Sequence, residues 1–316
     1  MLRTKALRKI FTTTLSLFIL LFVLTITSNN NTENLLKTNL QIGDNGKHVH
    51  SIYLLNDSGL LVKSKILLDE ENEKSKIASL VTNLVVGNSN IMVDGLRGVI
   101  PKGTTIKEVI VGKNIVTIDF SKEILNVSSS DEKKMVAAIV YSIMELGNYK
   151  GVSLLVEGEN FDKYPNSLEK IPTVLNKSLG INESYNITSR DDINKVVIYY
   201  LENIDNNLYY VPVTKYLNDN RDKIKIIVEE LSSNYIYESN LMSFLNSNTK
   251  LLEYRKDDDV MYLNFNDYLF DGNDKVLEEV IYSLAYSVFD NYDVNMVMFE
   301  VNGQKIGYIR TSDIPY

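Results

Sequence analysis

The feature that most constrains this chain is an internal duplication with a period of about 145 residues. Residues 116–120 (VTIDF) match residues 261–265 (MYLNF), and residues 51–54 (SIYL) resemble residues 197–200 (VIYY). Further matches keep the same order: 77–84 with 224–231, Tyr141-Ser142 with Tyr282-Ser283, and 156–158 with 301–303. Chance would not preserve this order, and the period is too long for a solenoid. The chain is therefore predicted to contain two copies of one domain.

The predicted copies occupy residues 47–159 and 194–316, here called the first copy and the second copy. Residues 160–193, which contain Pro165 and Pro172, are predicted to be a linker ordered against one of the domains. Residues 1–28 are predicted to be a signal anchor or signal peptide, and residues 29–46 an asparagine-rich tether.

Each copy is predicted to have the element order β-β-α-β-β-α-β. In the first helix, the spacing of Ile77, Leu80, Val81 and Leu84 fits the helical period of 3.6 residues. Ser129 and Glu132 resemble a capping box before the second helix. Two helices on one face of a small mixed sheet would bury the apolar residues of each copy economically. The predicted fold class is therefore α+β, with two related domains behind an N-terminal transmembrane segment.

A basic start followed by an apolar run indicates membrane targeting. Arg3, Lys5, Arg8 and Lys9 precede residues 10–27, which carry no charge. This pattern predicts a segment with its N-terminus inside and the rest of the chain outside the membrane. No small-residue cleavage site follows it, so an uncleaved anchor is favoured over a cleaved signal peptide. The predicted location is the cell membrane with an extracytoplasmic body, or secretion if the segment is removed.

Composition excludes several classes of chemistry. The chain has no cysteine and two histidines, which removes disulfides, cysteine-ligated metals, thiol catalysis and a lipidated cysteine. The formal net charge is −8, and the basic residues of the N-terminus leave the remainder more acidic still. This charge argues against binding to nucleic acid.

Two motifs in the first copy carry a resemblance to a known family. Residues 99–104 (VIPKGT) and residues 116–121 (VTIDFS) resemble the signature of the GerM (GerMN, spore germination and sporulation) domain family. The second copy departs from it, with Ser247-Asn248-Thr249 and Asn264-Phe265-Asn266 at the matching positions. Residues 179–182 (LGIN), Tyr185 and residues 210–215 are similar to the segment that joins tandem GerM domains. The signature residues, expected to be structural, are Pro101, Gly103, Thr104, Asp119, Phe120 and Ser121.

The resemblance implies a function class that composition does not show. Proteins of this family are non-enzymatic envelope proteins of endospore-forming bacteria, implicated in sporulation, germination and the assembly of a channel complex. Their domains are similar to ring-building modules of secretion systems. The implied partners are envelope or sporulation-complex proteins, with possible self-assembly and no cofactor. Because the family's lipid-anchoring cysteine is missing, residues 10–27 would provide the membrane contact.

Two other function classes stay open. An extracytoplasmic ligand-binding receptor would need a deep apolar pocket between the two copies. A cell-wall enzyme is the weaker alternative, because the sequence shows no convincing catalytic arrangement and no catalytic residue is predicted.

Candidate sites in the sequence mostly favour structural roles. His48 and His50 share a strand face but lack further metal ligands, and Asp119 with Glu123 is a weak carboxylate pair. Phe120 is expected in the core, and the Asp119 carboxylate is expected to accept bonds from a turn. Residues 257–259 (DDD) lack the spacing of a calcium loop and are predicted to form a solvated hairpin tip. Strand tyrosines of the second copy are expected mainly in the core: Tyr199, Tyr200, Tyr209 and Tyr210.

Overall fold

The computed structural model describes residues 47–69, 72–88, 94–147, 149–233, 240–271 and 275–313. The first copy contains β1 (Lys47–Asn56), β2 (Leu61–Asp69), α1 (Glu73–Thr82), β3 (Leu96–Arg97), β4 (Ile106–Val111), β5 (Ile115–Phe120), α2 (Glu132–Glu145), β6 (Gly151–Val156) and β7 (Glu159–Asn160). The linker region contributes a short 3₁₀ turn (Lys177–Leu179) and β8 (Ser184–Asn186). The second copy contains β9 (Ile193–Ile204), β10 (Asn207–Asn218), α3 (Lys223–Ser232), β11 (Leu251–Asp257), β12 (Val260–Phe265), α4 (Glu278–Asn291), β13 (Met296–Val301) and β14 (Gln304–Arg310).

Each copy has its own four-stranded mixed sheet. The strand orders are β4-β5-β6-β7 and β11-β12-β13-β14. In both sheets the two middle strands are parallel and the outer pairs are antiparallel. The parallel pair follows from the helix that crosses between them, because parallel neighbours need a long connection. This shared pattern confirms the duplication.

The opening hairpins of the two copies join in one further sheet. Its order is β3-β1-β2-β10-β8, with β9 paired to β10, and Lys63 of β2 lies opposite Tyr210 of β10. The prediction of one sheet per copy is therefore wrong in this respect, although the mixed α+β class is confirmed. An isolated hairpin leaves unpaired backbone groups along its edge. Here the edge of one hairpin meets the edge of the other.

The helix contacts explain where the cores lie. α2 contacts β1 of the shared sheet and β6 of its own sheet, and α1 contacts β2 and β4. The inward side chains of β5 and β12 alternate as strand geometry requires, and they are all buried. They are Val116, Ile118 and Phe120 in the first copy and Met261, Leu263 and Phe265 in the second.

One block of the sequence alignment needs correction. Oγ of Ser142 on α2 accepts a hydrogen bond from the backbone N–H of Tyr53 at 2.9 Å. In the second copy, Oγ of Ser287 accepts from the N–H of Tyr199, also at 2.9 Å. The counterpart of Tyr141-Ser142 is therefore Tyr286-Ser287, and not Tyr282-Ser283. The two pairs lie one helical turn apart, so a pattern of apolar periodicity matches either of them.

The predicted capping box of α2 is also wrong. The N-cap residue is Asp131, whose side chain makes no capping bond. The carboxylate of Glu132 instead accepts hydrogen bonds from the backbone N–H groups of Asn166 (2.7 Å) and Ser167 (3.1 Å) in the linker. Glu132 thus holds the linker against the first copy.

The predicted membrane segment at residues 10–27 and the tether at residues 29–46 lie outside the described residues. Within the parts of the chain that the structure describes, no helix has the length and apolar character needed to cross a membrane.

Candidate functional site

The most unusual chemistry of the molecule lies where the two copies meet. Tyr53 on β1 and Tyr199 on β9 are equivalent residues, and their hydroxyl oxygens are 3.1 Å apart. Asn56 and Glu202 are also equivalent, and Nδ2 of Asn56 donates to Oε2 of Glu202 at 2.5 Å. Contacts between equivalent residues arise close to a twofold axis. The copies are therefore related by an approximate twofold rotation, with the β2–β10 pairing near its centre.

An ion cluster lies beside the two tyrosines. Glu145 and Asp290 occupy equivalent positions near the ends of α2 and α4, and the linker places Lys177 between them. Nζ of Lys177 is 2.7 Å from Oε1 of Glu145 and 2.7 Å from Oδ1 of Asp290. Nζ of Lys63 donates to Oε2 of Glu145 at 2.6 Å, and the hydroxyl of Tyr199 donates to Oδ2 of Asp290 at 2.7 Å. One linker ammonium thus neutralises a carboxylate from each copy. We call Tyr53, Lys63, Glu145, Lys177, Tyr199 and Asp290 the junction cluster.

Five members of the junction cluster have perturbed pKa values, and burial lowers that of Lys63. Burial would raise the pKa of Glu145, but Lys177 and Lys63 outweigh it and hold that pKa below its usual range. Burial would lower the pKa of Lys177, but Asp290 and Glu145 raise it above its usual range. Burial raises the pKa of both Tyr53 and Tyr199. At neutral pH the carboxylate and the ammonium are therefore charged, and both phenols are protonated.

Tyrosine rings surround the cluster on both sides. The rings of Tyr53 and Tyr141 meet edge to face with centroids 5.5 Å apart, and those of Tyr199 and Tyr286 stack at 5.0 Å. The pairs are equivalent in the two copies. Nζ of Lys63 lies 4.3 Å from the ring centroid of Tyr286, so it bridges the copies through a cation–π contact as well. The prediction that strand tyrosines lie in the core is confirmed for Tyr199 and Tyr200, which are buried. Tyr209 and Tyr210 are only partly buried.

The linker also supplies hydrogen bonds at the point where the pairing of β2 with β10 in the shared sheet stops. Pro212 on β10 has no N–H to donate, so the pairing with β2 cannot continue there. Nδ2 of Asn182 donates to the carbonyl oxygens of Leu61 (2.7 Å) and Pro212 (2.8 Å), and its Oδ1 accepts from the N–H of Leu61 at 2.9 Å. Asn182 has a positive φ of 46°, which asparagine tolerates better than most residues. The linker is therefore ordered against both copies, and not against one.

Sequence reasoning missed the junction cluster. Lys63, Glu145, Lys177 and Asp290 form no motif, because they lie on four separate elements. The only available signal was the tyrosine shared by the matched blocks at residues 51–54 and 197–200. It identified equivalent positions but did not indicate that they touch.

The signature residues of the first copy lie away from this junction. The carbonyl of Pro101 accepts from the N–H of Thr104 at 3.2 Å, and Gly103 has a φ of +89° that favours glycine. Oγ of Ser121 accepts from the N–H of Thr105 at 3.0 Å. Phe120 is 1% exposed and lies in the core. Together these residues shape the turn that leads into β4.

The second copy closes a turn at the equivalent position with different residues and a different backbone conformation, because Asn248 does not share the positive φ of Gly103. The carbonyl of Asn246 accepts from the N–H of Thr249 at 2.8 Å, and Oδ1 of Asn246 accepts from the N–H of Asn248 at 2.9 Å. Oδ1 of Asn266 accepts from the N–H of Lys250 at 3.0 Å, as Ser121 does for Thr105. Asparagine side chains thus replace the proline and glycine, because they can bond to their own backbone.

The Asp119 carboxylate accepts a hydrogen bond from a turn that lies far from it in the sequence. Its Oδ1 accepts from the N–H of Gly158 at 3.0 Å, in the turn between β6 and β7. Asn264 makes the equivalent bond to the N–H of Gly303 at 2.9 Å. The Ser121 hydroxyl bonds to Glu123 and holds the pKa of that carboxyl below its usual range. Each acid thus has its own structural partner.

Replacing Asp119 with alanine is expected to lower the free energy of unfolding by about 1–2 kcal/mol, because the turn loses its acceptor. Asn264→Ala is the matched variant, since it removes the equivalent bond from the second copy. Urea unfolding followed by circular dichroism measures both. Loss of activity without loss of stability in Asp119→Ala would indicate chemistry at that carboxylate instead.

The remaining candidates are placed as follows. His50 is 6% exposed on β1, and the side chain of His48 lies outside those described. No group of three or more possible metal ligands occurs among the described residues. Residues 257–259 are exposed and form the tip of the β11–β12 hairpin, which confirms that prediction.

A cleft opens at the surface of the junction. Its volume is about 450 Å³, and both copies contribute to it. Lys63 and Lys65 come from β2, Tyr209 and Tyr210 from β10, and Glu278 and Glu279 from the first turn of α4. Leu201 and Leu208 join these charged and aromatic side chains in the lining, whereas the receptor alternative needs a deep pocket that is mainly apolar.

Comparison with known proteins agrees with this architecture. The family model described as "Germane: Sporulation and spore germination" matches residues 51–162 and 197–307. The chain is 27% identical over 293 residues to the spore germination protein GerM of Bacillus subtilis (strain 168), covering 88% of this chain and 80% of that protein. The solved tandem GerMN domains of the sporulation protein GerM from Bacillus subtilis superpose with a TM-score of 0.74 at 26% identity, covering 82% of this chain and 92% of that structure. The chain therefore belongs to the Germane family of sporulation and spore germination proteins, with one family domain in each of its two copies.

Proposed function

We propose that this chain is a non-enzymatic, membrane-anchored assembly protein that acts outside the cytoplasmic membrane during sporulation or germination. The observation that carries the proposal is the junction cluster, in which one linker lysine neutralises equivalent carboxylates of both copies. Such a cluster fixes the relative orientation of two related surfaces. A body with fixed surfaces suits a protein that holds partners in place.

The electrostatics of the junction cluster favour structure over catalysis. A general acid or base works best with a pKa near the working pH. In the cluster the pKa of Glu145 moves down and the pKa values of Lys177, Tyr53 and Tyr199 move up. These four shifts lead away from neutrality, whereas burial lowers the pKa of Lys63. Glu145, Lys177, Tyr53 and Tyr199 are thus each held in one protonation state.

The topology part of the proposal rests on residues 1–27. The basic residues before the apolar run favour an N-terminus inside the cell, which would place residues 47–316 outside. Protease added to intact protoplasts is expected to digest residues 47–316 of a C-terminally tagged chain, while a cytoplasmic marker protein survives. Survival of the tag together with the marker would contradict the topology.

The assembly role is tested by co-purification from sporulating cells. Tagged full-length chain is expected to recover envelope proteins, and Asp119→Ala is expected to recover them as well. Lys177→Met, which disturbs the orientation of the copies, is expected to recover fewer. Hydrolysis of peptidoglycan by the purified chain would contradict the assembly role.

A further inference from the structure

The first copy has an open groove on its surface. It lies between α1 and β4 and has a volume of about 560 Å³, within the usual range of ligand sites. Ala78 on α1, Val109 on β4 and Phe120 on β5 are among the residues that line it. We call it the α1–β4 groove.

The second copy fills the equivalent space with its own side chains. The counterparts of Ala78 and Val109 are Lys225 and Tyr254, as the helix and strand registers show. Nζ of Lys225 lies 5.9 Å from the ring centroid of Tyr254, and Tyr254 packs against the core. Two small side chains in the first copy thus leave open the space that an aromatic ring occupies in the second.

The two copies also differ in the charged residues at the aligned positions. Lys74 lies in α1 and lines the groove, whereas the residue aligned with it in the sequence, Arg221, precedes α3. Arg221 pairs with Asp219 at 2.6 Å and with Glu229 at 2.5 Å. In the first copy, the positions of those two acids are held by Asn72 and Thr82. The second copy therefore has a ring and two carboxylates at positions where the first copy has Val109, Asn72 and Thr82. The charged side chains that line the groove of the first copy are Lys74, Lys107 and Glu108.

A buried hydroxyl in the groove lacks a partner. Thr104 lines the groove and is 7% exposed, and its Oγ1 has no hydrogen-bond partner among the described residues. Its counterpart Thr249 donates to the carbonyl of Tyr268 at 2.8 Å. An unsatisfied buried hydroxyl is unfavourable unless something binds to it.

The strand that forms one wall has an available edge. β4 pairs with β5 on one side, and no other described strand pairs with its opposite side. An exposed strand edge can accept an extended segment through main-chain hydrogen bonds, with side-chain pockets adding specificity. Side chains two residues apart on such a segment point to the same face.

We propose that the α1–β4 groove of the first copy binds an extended acidic segment of a partner protein, which pairs with β4 and inserts an aromatic side chain between Ala78 and Val109. Carboxylates two residues from the ring would face Lys74. This inference names one contact within the assembly role proposed above. Its test uses purified protein and a peptide, so a failure here leaves the assembly role standing.

The probe is acetyl-Thr-Glu-Val-Tyr-Val-Glu-Thr-amide, titrated into the detergent-solubilised full chain by isothermal calorimetry. Saturable binding is expected, weakened at least about tenfold when alanine replaces the peptide tyrosine. Equal affinity for N-acetyltyrosinamide would show that the groove binds free aromatic molecules. That result would overturn the proposal that it binds an extended segment. No heat of binding up to about 1 mM peptide would overturn the proposal altogether.

Matched variants separate binding from folding. Thr104→Val is expected to weaken peptide binding about fivefold without loss of stability, since its hydroxyl is unpaired in the free protein. Thr249→Val is expected to lower stability and leave peptide affinity unchanged. Ala78→Lys combined with Val109→Tyr copies the filled groove and is expected to weaken binding at least about tenfold. Unchanged affinity in both Thr104→Val and a folded form of this double variant would contradict the site.

Discussion

Replacing Lys177 with methionine is expected to lower the free energy of unfolding by about 2–4 kcal/mol. The change leaves Glu145 and Asp290, which are 18% and 8% exposed, without their shared cation. Losing one partner of a buried ion pair is costly because the remaining charge is desolvated. We place the effect below the upper end of the usual range because the Lys177 side chain itself is 26% exposed. Equilibrium urea unfolding measures the loss.

The control for this variant is Lys177→Arg, which keeps the charge and is expected to lose less stability. Lys133→Met is the surface control, because Lys133 pairs with Glu169 at 2.7 Å while both side chains are more than half exposed. Exposed pairs contribute about 0–1 kcal/mol, so this variant should be nearly neutral. A loss in Lys177→Met no larger than that in Lys133→Met would refute the structural role of the junction cluster.

The loss in Lys177→Met should depend on pH. In the folded protein the pKa of Glu145 is held below its usual range, so its contribution to stability is fully present above the unfolded pKa of about 4.3. That contribution fades as pH falls towards the folded pKa. The difference between wild type and variant should therefore be largest above about pH 5 and shrink below about pH 4. A constant difference across this window would indicate lost packing instead of lost charge pairing.

Replacing Tyr199 with alanine is expected to lower the free energy of unfolding by about 3–5 kcal/mol. The side chain is 1% exposed, stacks on Tyr286 and bonds to both Tyr53 and Asp290. Truncation creates a cavity at the junction and removes the donor to a carboxylate. Because the loss falls between the copies, unfolding should also become less cooperative.

Two measurements check the Tyr199 prediction. Differential scanning calorimetry should show a broadened or split transition in Tyr199→Ala and a single one in wild type. Tyr199→Phe keeps the ring and removes only the hydroxyl, so its loss should be about 1–2 kcal/mol with cooperativity retained. Unchanged cooperativity in Tyr199→Ala would contradict this prediction, because it would show that the remaining junction contacts are enough to couple the unfolding of the two copies.

The turn chemistry shows where sequence reasoning works and where it stops. Phe120 could be placed in the core because alternation along one strand identifies the inward face. Asp119 could be assigned to turn bonding by its residue type, but its partner Gly158 lies across the sheet. The capping box at Ser129 and Glu132 failed because linker backbone groups at Asn166 and Ser167 compete for that carboxylate. Local patterns do not reveal such distant partners.

By itself, the sequence determined the duplication, the α+β class and the family, because apolar periodicity and the residues of two motifs are local properties of the chain. Only the tertiary structure decided that the opening hairpins share a sheet and that Tyr53 meets Tyr199. Lys177 pairs with two carboxylates that lie 32 and 113 residues away, and no spacing rule connects those positions. Desolvation acts on groups that meet in space, so the charges that hold the copies together became visible only when the linker was seen between them.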